Sequence, residues 1–447
     1  MQILIKKNQH ESELEVQPSN PSQFVQHEVF RLTIAFCDEN PIQTFALSYI
    51  FGHVRIIHRL QLRNGSRRTL DKFLQWWQCH LDRSKQSTPL VRELELCGNM
   101  EWDMNFTLWM NALCLRQSHL KHETATLNAL VFSMNHDARF DVAGLKVTDL
   151  ETLEIPLRSR QAMYSLAQAL HGGCKLRALF IPYLHLARQS PKVLEYFSIR
   201  LRQLRNLTSL ELHVSAAPPF NAQDLALNAQ HLAAAIPSSV QNLKVSWHLC
   251  DLDGLNPLDA LSPMAHAPAM VALQKLDLEL FGRRLRRVFD PPKLMELLVQ
   301  ILRPCRELQH LRLSAVWNVA KAQELCPLLS LLSTWTTLQH VVLDIPVFLD
   351  DSCCQVVNQI LQCNHSLTEF EIISERPSRF QNQRLHYLRL NRLQYANTLL
   401  IQDKIPLALW PHVLEKASRW HSVVFELLLQ KNDLLFSNAC VRDDKVL

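Results

Sequence analysis

Apolar residues recur along the chain in a six-residue pattern, apolar-x-x-apolar-x-apolar, which is clearest at Leu273, Leu276 and Leu278. The pattern occurs in eleven copies, whose middle residues run from position 60 to position 370. Ten intervals therefore cover 310 residues, with a mean of 31. A repeat with a period of roughly 20 to 50 residues is typical of a solenoid protein. The copies are Ile57-Leu60-Leu62, Val91-Leu94-Leu96, Leu127-Leu130-Phe132, Leu150-Leu153-Ile155, Leu176-Leu179-Ile181, Leu207-Leu210-Leu212, Val240-Leu243-Val245, Leu273-Leu276-Leu278, Leu308-Leu311-Leu313, Leu338-Val341-Leu343 and Leu367-Phe370-Ile372.

Each copy predicts a short strand, because its last two apolar positions are two residues apart and so lie on one face of a strand. The spacers carry apolar residues at helical intervals, as in 160–170, 293–302, 320–332 and 353–361. Stacked strand-helix units can bury apolar faces that a single unit leaves exposed. The pattern therefore predicts an α/β solenoid of about eleven irregular strand-helix repeats. A helical solenoid is the alternative, but turn residues such as Asn64-Gly65 directly after the copies argue against it.

The repeated pattern resembles the leucine-rich repeat, and its long period with alternating strands and helices resembles the ribonuclease-inhibitor-like class of that repeat. The resemblance covers residues 50–373. It implies a horseshoe in which the strands line the concave side and the helices lie outside. The Asn or Cys that usually follows the consensus is mostly replaced here by other residues.

The composition along the chain divides it into four parts. Residues 1–28 are polar and predict a flexible tail, and the apolar residues in 29–49 predict an N-terminal cap. The repeat array follows at 50–373, and 374–447 predict a helical C-terminal cap. The C-terminal part contains Tyr-Leu-Arg-Leu-Asn-Arg at 387–392, Leu-Trp-Pro-x-Val-Leu at 409–414 and Val-Phe-x-Leu-Leu at 424–428. This combination resembles the tail of leucine-rich-repeat proteins that are abundant in diatoms, which implies a fold and no activity.

The composition favours a protein of the cytoplasm, with the nucleus as the alternative. The net charge is 47 − 42 = +5, which does not require a nucleic-acid partner. No run of about 18 apolar residues occurs, so we expect no membrane span, and the apolar stretch after Met1 is too short for a signal peptide. The twelve cysteines lie mostly in apolar helical patterns without a Cys-x-x-Cys pair, which is typical of buried thiols in a reducing compartment.

Motifs for catalysis, cofactors or metals are weak in this sequence. His119 and His122 have a spacing that can bind a metal on a helix, but a solvated loop is the better interpretation. A calcium loop around Gly254 is excluded, because Leu249 and Ala260 would occupy its acidic first and last ligand positions. Phosphate-binding and nucleophile-elbow motifs do not occur. We therefore predict no catalytic, cofactor-binding or metal-binding residues and no cofactor.

Two stretches are rich in arginine. Residues 282–287 contain four arginines, and 376–392 contain five arginines with no acidic residue. Either stretch could bind an acidic partner or an RNA backbone. The alternatives are a solvated loop for the first stretch and packing of the cap against the last repeat for the second.

The residues between the last two apolar positions of each copy are expected on the concave side of the strands. They mix both charges with the apolar Val131 and Phe180, and such a surface can recognise a protein by complementary charge and apolar anchors. An ordinary solvated sheet without a partner is the alternative. The candidate partner-binding residues are Gln61, Glu95, Glu154, Phe180, Glu211, Lys244, Asp277 and Arg312.

These expectations combine into a non-catalytic intracellular scaffold that binds a protein partner on the concave strand face. Two alternatives remain open from the sequence. The protein could be a substrate-receptor or GTPase-regulating subunit, which are roles that other leucine-rich-repeat proteins fill. It could also bind RNA through the arginine-rich stretches, which a steep salt dependence of binding would support.

Overall fold

The structure is a computed structural model of the whole chain. It describes residues 2–6, 14–15, 28–35, 47, 50, 54, 56–63, 73, 75–76, 90–97, 129–133, 150–186, 189–216, 222–249, 258–281, 291–315, 320–344, 347–348, 351–364, 366–372, 388 and 391. The chain divides into two compact units. The first comprises Met1–Leu273 with Leu280–Arg284, and the second comprises Gln274–Glu279 with Leu285–Leu447.

The first unit is built on a mostly parallel sheet. Eight strands, β3 to β10, are parallel and lie side by side in chain order. Strand β1 pairs antiparallel with β3, and β2 pairs antiparallel with β1. The strands are β1 (Gln2–Lys6), β2 (Leu14–Glu15), β3 (Glu28–Ala35), β4 (Ile56–Arg63), β5 (Leu90–Cys97), β6 (Ala129–Ser133), β7 (Thr152–Glu154), β8 (Ala178–His185), β9 (Ser209–Ala216) and β10 (Asn242–Leu249).

The register of this sheet follows the apolar pattern of the sequence. The middle apolar residue of each copy pairs with that of the next copy, as Leu60 does with Leu94 and Leu179 with Leu210. These residues are 0 to 1% exposed, so they belong to the core. All seven copies predicted between residues 57 and 245 therefore coincide with strands of this parallel sheet.

Strand β3 contains a twelfth copy, Val29-Leu32-Ile34, which the sequence interpretation had assigned to the N-terminal cap. Leu32 pairs with Leu60 in register, and all three residues of the copy are buried. The described part of the predicted tail also forms structure, because Gln2–Lys6 and Leu14–Glu15 are the strands β1 and β2. These two strands extend the sheet beyond β3.

Helices alternate with strands from β7 onward in the first unit. They are α1 (Arg160–Ala169), α2 (Pro191–Arg202), α3 (Ala222–Ala235) and α4 (Leu258–Leu261), and 3-10 turns follow at Ser262–His266 and Pro268–Ala272. Ser159 and Ser190 cap α1 and α2 by accepting hydrogen bonds from the backbone N–H groups of Ala162 and Val193. Consecutive helices pack against each other, and their buried faces complete the core. Pro263 and Pro268 lie at the starts of the two 3-10 turns, where the fixed φ of proline is tolerated.

The second unit repeats the same arrangement. Strands β11, β12, β14 and β16 neighbour one another in this order, with the pairs β12–β14 and β14–β16 parallel, and β13 and β15 form a separate two-stranded sheet. The elements are β11 (Lys275–Phe281), α5 (Pro291–Leu302), β12 (His310–Ala315), β13 (Ala320–Lys321), α6 (Ala322–Ser333), β14 (His340–Asp344), β15 (Val347–Phe348), α7 (Asp351–Cys363) and β16 (Glu369–Ile372). Helix α6 tolerates an internal proline, Pro327.

One backbone arrangement recurs at the start of the strands. A single carbonyl accepts hydrogen bonds from two successive N–H groups of the next copy, as Glu151 does from Arg177 at 2.7 Å and Ala178 at 2.9 Å. Gln274 accepts in the same way from Gln309 and His310 in the second unit. The same geometry in both units follows from the sequence repeat.

The structure confirms the predicted α/β class and the alternation of strands and helices in a solenoid-like repeat. Helices α1, α5, α6 and α7 also confirm the four helical spacers named from the sequence. No helix among the described residues is long and apolar enough to cross a membrane. The predicted C-terminal cap lies outside the described residues except at Leu388 and Asn391, which are helical and buried. The spacer 134–149 also lies outside them.

Candidate functional site

The strands of the first unit present one aligned row of side chains between their buried apolar positions. We call it the central row, and β3 to β10 each contribute one member. Strand pairing places the members next to one another, as Glu154 pairs with Val131 on one side and with Phe180 on the other. The members are Thr33, Gln61, Glu95, Val131, Glu154, Phe180, Glu211 and Lys244.

The structure therefore brings together six of the eight residues that the sequence named as candidates. Asp277 and Arg312 occupy the equivalent positions on β11 and β12 of the second unit. The exposure of the eight is uneven. Gln61 is 4% and Asp277 7% exposed, whereas Arg312 is exposed and the other five are half-buried. Gln61 and Asp277 therefore offer little surface to a partner.

The burial of Gln61 is explained by a chain of side-chain hydrogen bonds. Thr33 Oγ1 donates to Gln61 Oε1 at 3.1 Å, and Gln61 Nε2 donates to Cys97 Sγ at 3.2 Å. The Cys97 thiol in turn donates to Glu95 Oε1 at 3.3 Å. Burial, together with the neighbouring Glu95 carboxylate, raises the pKa of Cys97 to about 11. Cys97 is consequently a protonated thiol that donates a hydrogen bond rather than a nucleophile.

Arg59 compensates two carboxylates near this end of the row. Its guanidinium makes a bidentate contact with Glu93, with Nε–Oε1 at 2.8 Å and Nη2–Oε2 at 3.0 Å. Its Nη1 also lies 3.8 Å from Glu95 Oε2. All three side chains are partly buried, so this cluster is fixed within the protein itself.

Glu211 is compensated in the same way near the other end of the row. Its Oε1 lies 2.7 Å from His213 Nε2 and 3.0 Å from Lys244 Nζ. The hydrogen bond from His213 is the largest influence, and with that from Lys244 it lowers the pKa of Glu211 against the opposing effect of burial. Glu211 is therefore ionised and already paired.

Glu154 differs from the other carboxylates of the row. Among the described residues, neither a hydrogen bond nor an ion pair reaches its carboxylate. Burial raises the pKa of Glu154, and the carboxylates of Glu211, Glu95 and Glu93 raise it further, with Arg59 opposing. Val131 and Phe180 flank it on the two neighbouring strands. The centre of the row is therefore an acidic group between two apolar side chains.

A second arrangement lies on the strands of the second unit, two positions before the equivalent of the central row. The rings of His310 and His340 stack with their centroids 4.4 Å apart and their planes inclined by 11°. His340 Nδ1 lies 2.9 Å from Glu369 Oε2. Burial lowers the pKa of His310, and the nearby His340 and Lys275 lower it further. Alternation along a strand places these residues on the same face as the equivalent of the central row, and the parallel register of β12 and β14 brings the two rings together.

The metal-binding and nucleic-acid-binding candidates lie mostly outside the described residues. Within them, no group of three or more His, Cys, Asp or Glu side chains is placed to hold a metal ion. His119 and His122 lie outside the described part of the chain, as do the arginine-rich stretches 282–287 and 376–392 apart from Leu388 and Asn391.

The strand face of the first unit is thus identified from its own geometry. Its distinctive feature is the contrast between paired carboxylates near the ends and Glu154 at the centre. Known proteins add no further assignment. No family model matches this chain. A search of curated proteins also finds no match.

Proposed function

We propose that this protein is a non-catalytic scaffold of the leucine-rich-repeat type, of the ribonuclease-inhibitor-like class, that binds a protein partner on the strand face of its first unit. One observation carries the proposal. The central row places half-buried apolar side chains, Val131 and Phe180, alternately with the carboxylates of Glu95, Glu154 and Glu211. Protein interfaces combine apolar anchors with charges that select the partner, and this row supplies both.

The size of the row also favours a macromolecular partner. Eight adjacent strands at a spacing of about 4.8 Å give a row of about 34 Å from Thr33 to Lys244. A small molecule would contact only a fraction of that length. A row of this length suits recognition by shape and charge, and we propose no bond-making step on it.

Two further roles remain alternatives to a simple scaffold. A substrate-receptor or GTPase-regulating subunit would use the same face, so the proposal includes these roles as special cases. RNA binding through the arginine-rich stretches is the other alternative, and a steep salt dependence of binding would support it. The buried thiols Cys174 and Cys305 support the expectation of a reducing compartment such as the cytoplasm or nucleus.

Site-specific crosslinking tests the proposal. Val131 is replaced by the photoreactive benzoylphenylalanine, and a matched control carries the same group at Gln168, which is exposed on α1 of the same unit. Irradiation in the source cells should give a protein adduct at position 131 and none at position 168. The adduct should disappear when Glu154→Lys, Phe180→Ala and Glu211→Lys are combined in a variant that keeps the wild-type circular dichroism spectrum. A face that yields no adduct at position 131 rules the proposal out.

A further inference from the structure

Charged and apolar side chains alternate at the centre of the central row. Glu154 lies two strands from Glu95 and two strands from Glu211, because Val131 and Phe180 occupy the strands between them. Two strand spacings correspond to about 10 Å. Val131 and Phe180 are therefore the members of the row next to Glu154, and the nearest carboxylates of the row lie beyond them.

The protein itself compensates the carboxylates near the ends of the central row. Arg59 holds Glu93 at 2.8 Å and lies 3.8 Å from Glu95. Glu211 has two cationic or hydrogen-bonding neighbours within 3.0 Å. Glu154 has no such contact with any residue that the structure describes. Among the described residues, carboxylates are thus compensated near both ends of the row, and Glu154 at its centre is not.

A half-buried carboxylate beside other carboxylates raises the free energy of the protein unless a cation approaches it. The pKa of Glu154 is raised for this reason. Converting Glu154 to an apolar residue would remove the penalty, so the charge works against the stability of the isolated chain. A bound cation would relieve the penalty, and the binding free energy would increase by that relief.

We infer that the partner presents a polypeptide segment with an arginine or lysine side chain, whose cationic group lies at Glu154 and whose aliphatic stem packs on Val131 and Phe180. This inference rests on the proposed function and specifies its partner. Arginine and lysine fit because both combine an apolar stem with a charged end. Phe180 can also stack with a cation, which favours arginine. A polypeptide fits better than a free amine because the row extends far beyond the contact at Glu154.

Peptide pools provide the test with the full-length protein. Four pools of fluorescent dodecapeptides are random except for one central residue, which is arginine, lysine, citrulline or norleucine. Citrulline has the shape of arginine without its charge. The wild type should retain the arginine and lysine pools about tenfold more than the citrulline and norleucine pools, because only these two pools carry a cation that can pair with Glu154.

Two matched variants connect this preference to the central row. Glu154→Gln should reduce the retention of the arginine and lysine pools to the citrulline level. Glu195→Gln removes the same charge from an exposed position on α2 and should leave retention unchanged. Equal retention of the arginine and citrulline pools by the wild type overturns the inference, and so does an equal loss in the two variants.

The outcomes also separate this inference from the proposed function. A photoadduct at position 131 that persists in Glu154→Gln and is lost in Phe180→Ala would support the strand face as a binding site. The same result would contradict the inference that a cationic side chain binds at Glu154. The absence of any adduct at position 131 would contradict both the proposed function and the inference about the cationic side chain. If spermidine alone binds with the same dependence on Glu154, and the peptides bind no more tightly than spermidine, the occupant is a small polyamine and the polypeptide is overturned.

Discussion

The imidazole rings of His310 and His340 stack almost in parallel, with 4.4 Å between their centroids, on the neighbouring strands β12 and β14. Equivalent positions of two consecutive repeats thus carry two groups that are unfavourable neighbours when both are charged. Lys275 on β11 adds a further positive charge, and Glu369 on β16 opposes it. The charge state of His310 in this cluster therefore depends on pH.

We expect the second unit to lose stability on acidification. The pKa of His310 is lowered in the folded protein, so the unfolded chain binds its proton more tightly. The free energy of unfolding should therefore fall as the pH drops below the unfolded value, about 6.5, toward the lowered folded value. We expect the fall to be no more than about 1 kcal/mol, because solvent screens a partly exposed pair.

Urea unfolding at pH 8.0 and pH 5.0 measures this effect. The variant His310→Gln should show a smaller difference between the two pH values than the wild type. His266→Gln, at an exposed position of the first unit, serves as the control and should behave like the wild type. A pH dependence that is identical in His310→Gln and the wild type contradicts the prediction.

Asn391 is expected to stabilise the end of the repeat. The two N–H groups of its Nδ2 are shared among the carbonyls of Leu361, Asn364 and Leu367, which lie at 2.9, 3.0 and 3.0 Å, and the residue is 2% exposed. Asn391→Ala leaves these carbonyls without that donor. The free energy of unfolding should fall by about 2 to 4 kcal/mol, since unsatisfied buried acceptors add to the lost bonds.

Chemical unfolding followed by far-UV circular dichroism provides the measurement. Asn391→Asp should be at least as harmful as Asn391→Ala, because a carboxylate has no N–H to donate. Asn242→Ala, at an exposed position of the first unit, is the control and should change the stability by less than about 0.5 kcal/mol. An Asn391→Ala protein as stable as this control would show that the three bonds contribute nothing.

Much of the fold could be predicted because one local pattern is repeated. Each copy buries two side chains on one strand face, and the spacing of the apolar residues in the sequence predicts where this occurs. The copy in β3 was overlooked, although its interval from Leu32 to Leu60 is 28 residues and lies within the range of the other copies. It was assigned to a cap because repeat arrays are expected to end in one.

The candidate site was predictable in position but not in its contacts. The row of residues that includes Glu154 and Phe180 follows from alternation along the strands. The burial of Gln61 does not, because its partners Thr33 and Cys97 come from strands 28 and 36 residues away in the sequence. The same holds for Asn391, whose partners lie 24 to 30 residues earlier. Such contacts depend on register, which spacers of uneven length do not determine.

Cys97 should resist alkylation in the folded protein. Its pKa rises from 9.0 to about 11, a difference of two units, so the reactive thiolate is about a hundredfold rarer than in the unfolded chain. Iodoacetamide at pH 8.0, with quantification of the Cys97 peptide by mass spectrometry, should show modification about a hundredfold slower than in 6 M guanidinium chloride.

The carboxylate of Glu95 contributes to this protection, because it accepts the hydrogen bond of the thiol at 3.3 Å and disfavours a second negative charge. Glu95→Gln should therefore accelerate the alkylation of Cys97 severalfold while the protein stays folded. Arg92→Gln, at an exposed position of the same strand, is a suitable control for general changes in β5. Rapid labelling of Cys97 in the folded wild type would contradict the prediction.

Glu154→Gln should stabilise the isolated protein at neutral pH. The pKa of Glu154 is raised in the folded state, so the folded protein holds this proton more tightly than the unfolded chain does. Stability is consequently lost as the pH rises through the unfolded value, about 4.5, toward the raised folded value. Removing the charge should recover up to about 1 kcal/mol at pH 7 and little at pH 4, measured by urea unfolding at both pH values. Glu195→Gln should change neither value.

A Glu154→Gln protein that is less stable than the wild type at pH 7 would mean that the carboxylate stabilises the fold. That result would contradict the inference that a cationic group of the partner binds at Glu154.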